Sequence, residues 1–140
     1  MTEGFDCIHI AKATLRDHEG LKLKAYQCTA GKTTIGYGRN LDDRGIDADE
    51  AELLLDRDVG EAIRDLAKFS FWNVLSERRR AALIDMRFCL GPHRFRQFKK
   101  MLSALEASDY TEAAEQMLDS RFAQQTGRRA ENLAKMVREG

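Results

Sequence analysis

Between Phe5 and His18 the apolar residues Cys7, Ile8, Ala11 and Leu15 recur at helical spacing, which predicts an amphipathic helix ending at the His18-Glu19-Gly20 step. From residue 23 the period changes. Leu23, Ala25 and Tyr26 lead into a turn at Thr29-Ala30-Gly31-Lys32, and Thr33, Thr34, Ile35, Gly36, Tyr37 and Gly38 follow it. Beta-branched and aromatic residues on both sides of a Gly-containing turn predict a hairpin, and its glycines permit close backbone approach.

Asp47 and Glu50 form a capping-box-like start for a helix whose face is Ala51, Leu54, Leu55, Val59, Ile63 and Leu66, the longest helix predicted. Ser76 caps another through Ala81, Ala82, Leu83, Ile84, Phe88 and Leu90. That helix is apolar around much of its circumference, so it is expected to be buried, and Gly91-Pro92 ends it. Three further helices follow from Phe95 to Leu105, from Ala113 to Leu118 and from Ala130 to Val137. The expected fold is α+β, mostly helical and built as one domain with two lobes. A small β-hairpin lobe near residues 20–47 is joined by a long helix near 48–68 to a helical lobe near 69–140, which also takes the N-terminal helix, with a cleft between the lobes.

Composition narrows the class. At 140 residues, with 43% hydrophobic and 33% charged residues and one Pro, the chain can bury a core and is not of the disordered kind. The net charge is zero, but residues 1–66 carry 9 Lys/Arg against 14 Asp/Glu and residues 67–140 carry 14 against 9. A positive surface opposite an acidic one could attract an anionic polymer, although a solvated mixed-charge surface is the simpler reading. The basic residues are not interleaved with aromatics along one stripe, so nucleic acid is not expected as a partner.

Three cysteines, Cys7, Cys28 and Cys89, without a CxxC pair or zinc-spaced histidines, argue against a disulfide framework and a structural metal. His9, His18 and His93 have no metal-like spacing and read as surface or packing residues. Asp42, Asp43 and Asp47 cluster without the layout of an EF-hand loop. No metal or cofactor is expected. The chain shows neither a membrane-spanning apolar run nor the charged-then-apolar layout of a signal peptide, so folding in a reducing cytosol without stable membrane insertion is expected. A monomer is the default expectation.

The chemistry concentrates in one stretch: Glu19, eight residues, Cys28, five residues, Thr34, set around a Gly-rich turn. Glu19 falls at the end of the first helix beside the mouth of the hairpin. A carboxyl partly shielded from water has its charged form disfavoured, which suits a general acid. Cys28 and Thr34 lie on facing sides of the hairpin. A hydroxyl can orient a water, and a thiol can accept a hydrogen bond or, as thiolate, act as base or nucleophile.

"LRDHEGLKLKAYQCTAGKTTIGYGRNL", residues 15–41, resembles the active-site region of phage-type lysozymes, glycoside hydrolase family 24, whose signature of Glu, Asp or Cys, and Thr falls on Glu19, Cys28 and Thr34. "DADEAELLLDRDVGEAIRDL" resembles that family's interlobe helix, "RRRAALIDMRFCLG" its buried central helix, and "AAEQMLDSRFAQQTGRRAENLAKM" its C-terminal helical segment. The resemblance implies the two-lobe lysozyme fold. It also implies hydrolysis of the β-1,4 bond between N-acetylmuramic acid and N-acetylglucosamine in peptidoglycan, with Glu19 protonating the leaving oxygen.

Arg129 in "TGRRA" matches the family's arginine that pairs across the cleft with the catalytic Glu, and Arg128 is its neighbouring candidate. Tyr37, Phe88 and Cys89 would be substrate-binding or supporting residues; Cys89 stands where a polar amide is common, and Arg39 where a His is often found. Cys28 takes the place of a second carboxylate, and water positioning by Cys28 and Thr34 is preferred over a covalent role. The reading that follows is a phage or prophage endolysin that accumulates in the host cytoplasm until it reaches the wall, or else a tail-associated muramidase. Two other readings compete: a noncatalytic lysozyme-like module binding glycan or protein, and a Cys-dependent amide hydrolase using Cys28 and His18.

Overall fold

The helical and hairpin periods named above appear in the computed structural model, which describes residues 3–140, with side chains from Asp6 onward. Helix α1 (Glu3–Glu19) leads into strands β1 (Lys22–Gln27), β2 (Thr33–Gly36) and β3 (Arg39–Asn40), a short helix α2 (Leu41–Arg44) and the long helix α3 (Ala48–Leu66). A 3-10 helix (Ser70–Val74) precedes α4 (Glu77–Arg96), α5 (Lys99–Glu106), α6 (Tyr110–Leu118), α7 (Arg121–Thr126) and α8 (Arg128–Glu139). This is an α+β, mostly helical fold. The chain divides into two compact units, residues 1–52 and 53–140, with the boundary inside α3. Helix α1 belongs to the first unit, whereas periodicity had joined it to the helical lobe.

In the first unit the three strands form an antiparallel sheet in the order β1-β2-β3. Tyr26 faces Thr34 and Gln27 faces Thr33, while Lys22 faces Gly36, so β1 carries a bulge between Lys22 and Tyr26. Beyond β3, the Asn40 side chain caps α2 by accepting from the Asp43 N–H at 3.0 Å. The predicted capping box is present and reciprocal: Asp47 accepts from the Glu50 N–H at 2.8 Å, and Glu50 accepts from the Asp47 N–H at 3.1 Å. The stripe on α1 is present as a pattern, but Ile8 and Leu15 remain about half exposed. Periodicity reports which side of a helix is apolar, and burial needs an opposing surface as well.

The second unit holds the core. Leu83, Met86, Phe95, Met101, Leu105, Met117, Phe122 and Val137 are fully buried around α4, as the apolar circumference of that helix predicts. Gly91 adopts φ +82° and interrupts α4 at the predicted stop, after which Pro92 restarts one more helical stretch carrying Phe95. The predicted face of α3 requires correction. Its buried residues are Ala62, Asp65 and Leu66, whereas Leu54, Leu55 and Ile63 are exposed.

Asp65 is buried because two arginines enclose it. Arg87 Nε donates to its Oδ2 at 2.7 Å, and Arg96 donates to Oδ2 at 2.9 Å and Oδ1 at 2.6 Å. These bonds hold the Asp65 carboxyl well below the usual carboxylate range, Arg96 contributing most. Arg79 ties α4 to two other helices: it donates to the Val137 and Arg138 carbonyls at the end of α8, and its guanidinium lies 3.6 Å from the Tyr110 ring centre.

Candidate active site

Gly20 ends α1 in a left-handed conformation, φ +68°, with its N–H donating to the Arg16 carbonyl at 3.0 Å. Glu19 is therefore the last helical residue, and it is exposed rather than shielded. Its carboxylate lies against the β2–β3 turn: a Cβ placed on Gly38 would be 2.7 Å from Glu19 Oε2.

The β1–β2 connection is a tight turn over Cys28-Thr29-Ala30-Gly31. The Gly31 N–H donates to the Cys28 carbonyl and the Cys28 N–H to the Lys32 carbonyl, both at 2.9 Å, with Gly31 at φ +76°. A type I turn followed by a left-handed glycine fits this pattern and fixes where the next strand begins. Cys28 thus sits one residue beyond β1 at the turn, and Thr34 sits inside β2, buried to 4% exposure.

Main-chain atoms of Lys32 bring the two side chains together. The Thr34 hydroxyl donates to the Lys32 carbonyl at 2.9 Å. The backbone N–H groups of Lys32 and then Ala30 hold the Cys28 thiol below its ordinary value, against a smaller desolvation effect. No cation is involved. The lowering comes from amide groups of the turn itself.

Several supporting residues could not be read from the one-dimensional pattern. Asp42 accepts from the Thr33 N–H at 2.7 Å, and Asp43 pairs with Lys32 at 3.2 Å, so the α2 carboxylates brace the strand that carries Thr34. Arg39 is bidentate to Glu50, at 2.9 Å for each contact, and also donates to the Gly45 carbonyl, which fastens β3 to the start of α3. The aspartates considered for calcium are engaged in these bonds and in the helix cap. The signal that could have found them is their spacing around the Asn40 cap.

In the second unit Arg129 donates from Nε to Asp85 Oδ1 at 2.7 Å, and that carboxylate pushes the Arg129 guanidinium up. Arg129, Asp85 and Phe88 line an open groove of about 360 Å3 together with Leu55, Val59 and Ile84. Cys89 is an exposed free thiol, and Tyr37 in the first unit is about half exposed.

A family model described as phage lysozyme matches residues 16–138, a span that includes every residue of this arrangement. The chain belongs to the phage lysozyme family. It is 30% identical over 129 residues to an endolysin of Acyrthosiphon pisum secondary endosymbiont phage 1, covering 87% of this chain and 86% of that protein. It is 28% identical over 159 residues to the probable T4-type lysozyme 2 of Dictyostelium discoideum, covering 92% and 94%.

A third match, 29% identical over 155 residues, is to the pre-baseplate central spike protein Gp5 of Enterobacteria phage T4. It covers 90% of this chain but 27% of that protein. Family membership makes this phage lysozyme a glycoside hydrolase at the family level, with peptidoglycan as the substrate class. Among the described residues no helix is long and apolar enough to cross a membrane.

Proposed function

We propose that the chain is a muramidase that hydrolyses the β-1,4 bond between N-acetylmuramic acid and N-acetylglucosamine, with Glu19 as general acid and Cys28 and Thr34 handling the attacking water. The observation that carries this reading is the joining of Cys28 and Thr34 through Lys32 on one fixed turn, in the same unit as Glu19. The Thr34 hydroxyl proton points to the Lys32 carbonyl, so the lone pairs of its oxygen are free to accept from a water. The lowered thiol supplies a second acceptor for the same water, and more strongly so as thiolate.

Glu19, exposed at its helix end, can meet the glycosidic oxygen of a bound strand. As that oxygen takes the Glu19 proton, the water attacks the sugar carbon and passes its own proton towards Cys28. A water attacking the face opposite the leaving group leads to inversion, whereas attack by Cys28 itself would lead to retention through a thioglycosyl intermediate. The likeness to an endolysin supports a lytic enzyme, and we propose that it gathers in the host cytoplasm, reaches the wall through a membrane lesion and acts as a monomer. The likeness to a spike protein favours a second reading, a tail-associated muramidase.

The test is to incubate purified peptidoglycan with the protein and with Glu19→Gln and to analyse the fragments by mass spectrometry. New reducing muramic ends from the unaltered protein alone are expected. Anhydro-muramic ends would indicate a lytic transglycosylase instead, and unchanged glycan would leave a noncatalytic binding module.

A further inference from the structure

Gly36 and Gly38 lie two residues apart at the β2–β3 turn with nearly the same left-handed backbone, φ +71° and φ +74°. Their surroundings differ. A Cβ on Gly36 would meet nothing within 4 Å, whereas a Cβ on Gly38 would lie 2.7 Å from Glu19 Oε2 and 3.0 Å from its Cδ. Among the described residues of the first unit no hydrogen bond holds the Glu19 carboxylate, and its contact with the turn limits where this flexible side chain rests.

We propose that Gly38 is a positioning residue for the reaction: by having no side chain it gives the Glu19 carboxylate a seat on the β2–β3 turn. The inference rests on reading Glu19 as the general acid. The turn belongs to the same sheet as Thr34, since Thr34 faces Asn40 and Ile35 faces Arg39. A seat on this turn therefore fixes the acid against the strand that handles the water. A methyl group at position 38 would move the free end of a side chain rather than backbone, so it would displace the acid while leaving the sheet in place.

The test compares Gly38→Ala with Gly36→Ala. Both variants place an L-residue at positive φ and carry the same kind of backbone strain, so equal falls in Tm are expected. Gly38→Ala should also lose kcat on peptidoglycan, on the order of 10²-fold, as expected for a displaced catalytic group. KM should hold, and Gly36→Ala should stay close to the unaltered enzyme. The carbon-13 signal of the Glu19 carboxyl, assigned by its loss in Glu19→Gln, should shift in Gly38→Ala and stay in place in Gly36→Ala.

Equal kcat in the two variants, or equal carboxyl shifts, would overturn the seat. An unaltered protein that releases no glycan fragments would overturn the muramidase reading, and the carboxyl signals would still decide whether Gly38 seats Glu19.

Discussion

Cys28 departs from the pairing of two carboxylates common in glycosidases, and its surroundings state what it can do. Amide donors from Lys32 and Ala30 favour the thiolate, and the Thr34 hydroxyl stands beside it. Cys28→Ala should therefore lose activity on the order of 10²-fold, as removal of an acid–base or water-holding group typically does. Cys28→Ser, which keeps an acceptor, should retain most of it; kcat measured on solubilised peptidoglycan separates the two. Complete loss in Ser would favour covalent attack. Because a lowered thiol value enlarges the thiolate fraction, kcat should rise with pH through that value, below the ordinary thiol range, and the rise should be absent from the Cys28→Ser pH profile. Glu19, Cys28 and Thr34 stand out in the sequence through their family-like spacing, and their places at one helix end and one hairpin follow from local periodicity. Gly38 as the seat of Glu19, and Asp42 as the brace of Thr33, do not stand out, because those contacts join a helix to the sheet.

At the scale of elements, local rules predicted several starts and stops, but the helix expected from Phe95 to Leu105 is divided, with Phe95 in the last turn of α4 and α5 starting at Lys99. The α3 start at Asp47 is a reciprocal capping box, so Asp47→Ala should lower stability by about 1 kcal/mol in urea titrations, the usual cost of losing a helix cap. The left-handed glycines at 20, 31 and 91 stand at a helix end, a turn and a helix break. Short elements escaped notice. The α2 turn, the 3-10 helix and α7 span too few residues for an apolar period to show. The face of α3 differs for another reason: of its apolar stripe only Leu66 is buried, and with Ala62 an acidic residue, Asp65, is taken inside. No pattern of hydrophobicity marks a charge that two distant arginines will enclose.

For the molecule as a whole, that enclosed charge makes a stability prediction. Asp65 is 8% exposed and bonded by Arg87 and Arg96, so Asp65→Asn should cost about 3 kcal/mol by leaving the buried Arg87 with only the longer pairing to Glu61 at 3.9 Å. Since the folded carboxyl value is depressed, its stabilisation is present above the unfolded carboxylate value, about 3.9, and is lost as pH falls through the folded value. The gap between the urea midpoints of the unaltered protein and Asp65→Asn should be full near neutrality and should narrow only below about pH 4. A gap that stayed constant down to pH 2 would contradict the assignment.

The sequence by itself determined the α+β class, the helix periods and the hairpin, because each depends on residues close along the chain; it also proposed the Glu19, Cys28 and Thr34 constellation. Tertiary structure alone decided that Gly38 receives the Glu19 carboxylate, that main-chain amides of the turn acidify Cys28, that Arg129 engages Asp85 and that Asp65 lies between Arg87 and Arg96. Those are questions of distance and shielding, between groups far apart in sequence in most cases and, for Cys28, set by how one turn aims its amides. Hydrogen-bond strength and burial depend on which atoms the folded chain brings within about 3 Å, and periodicity carries no record of that.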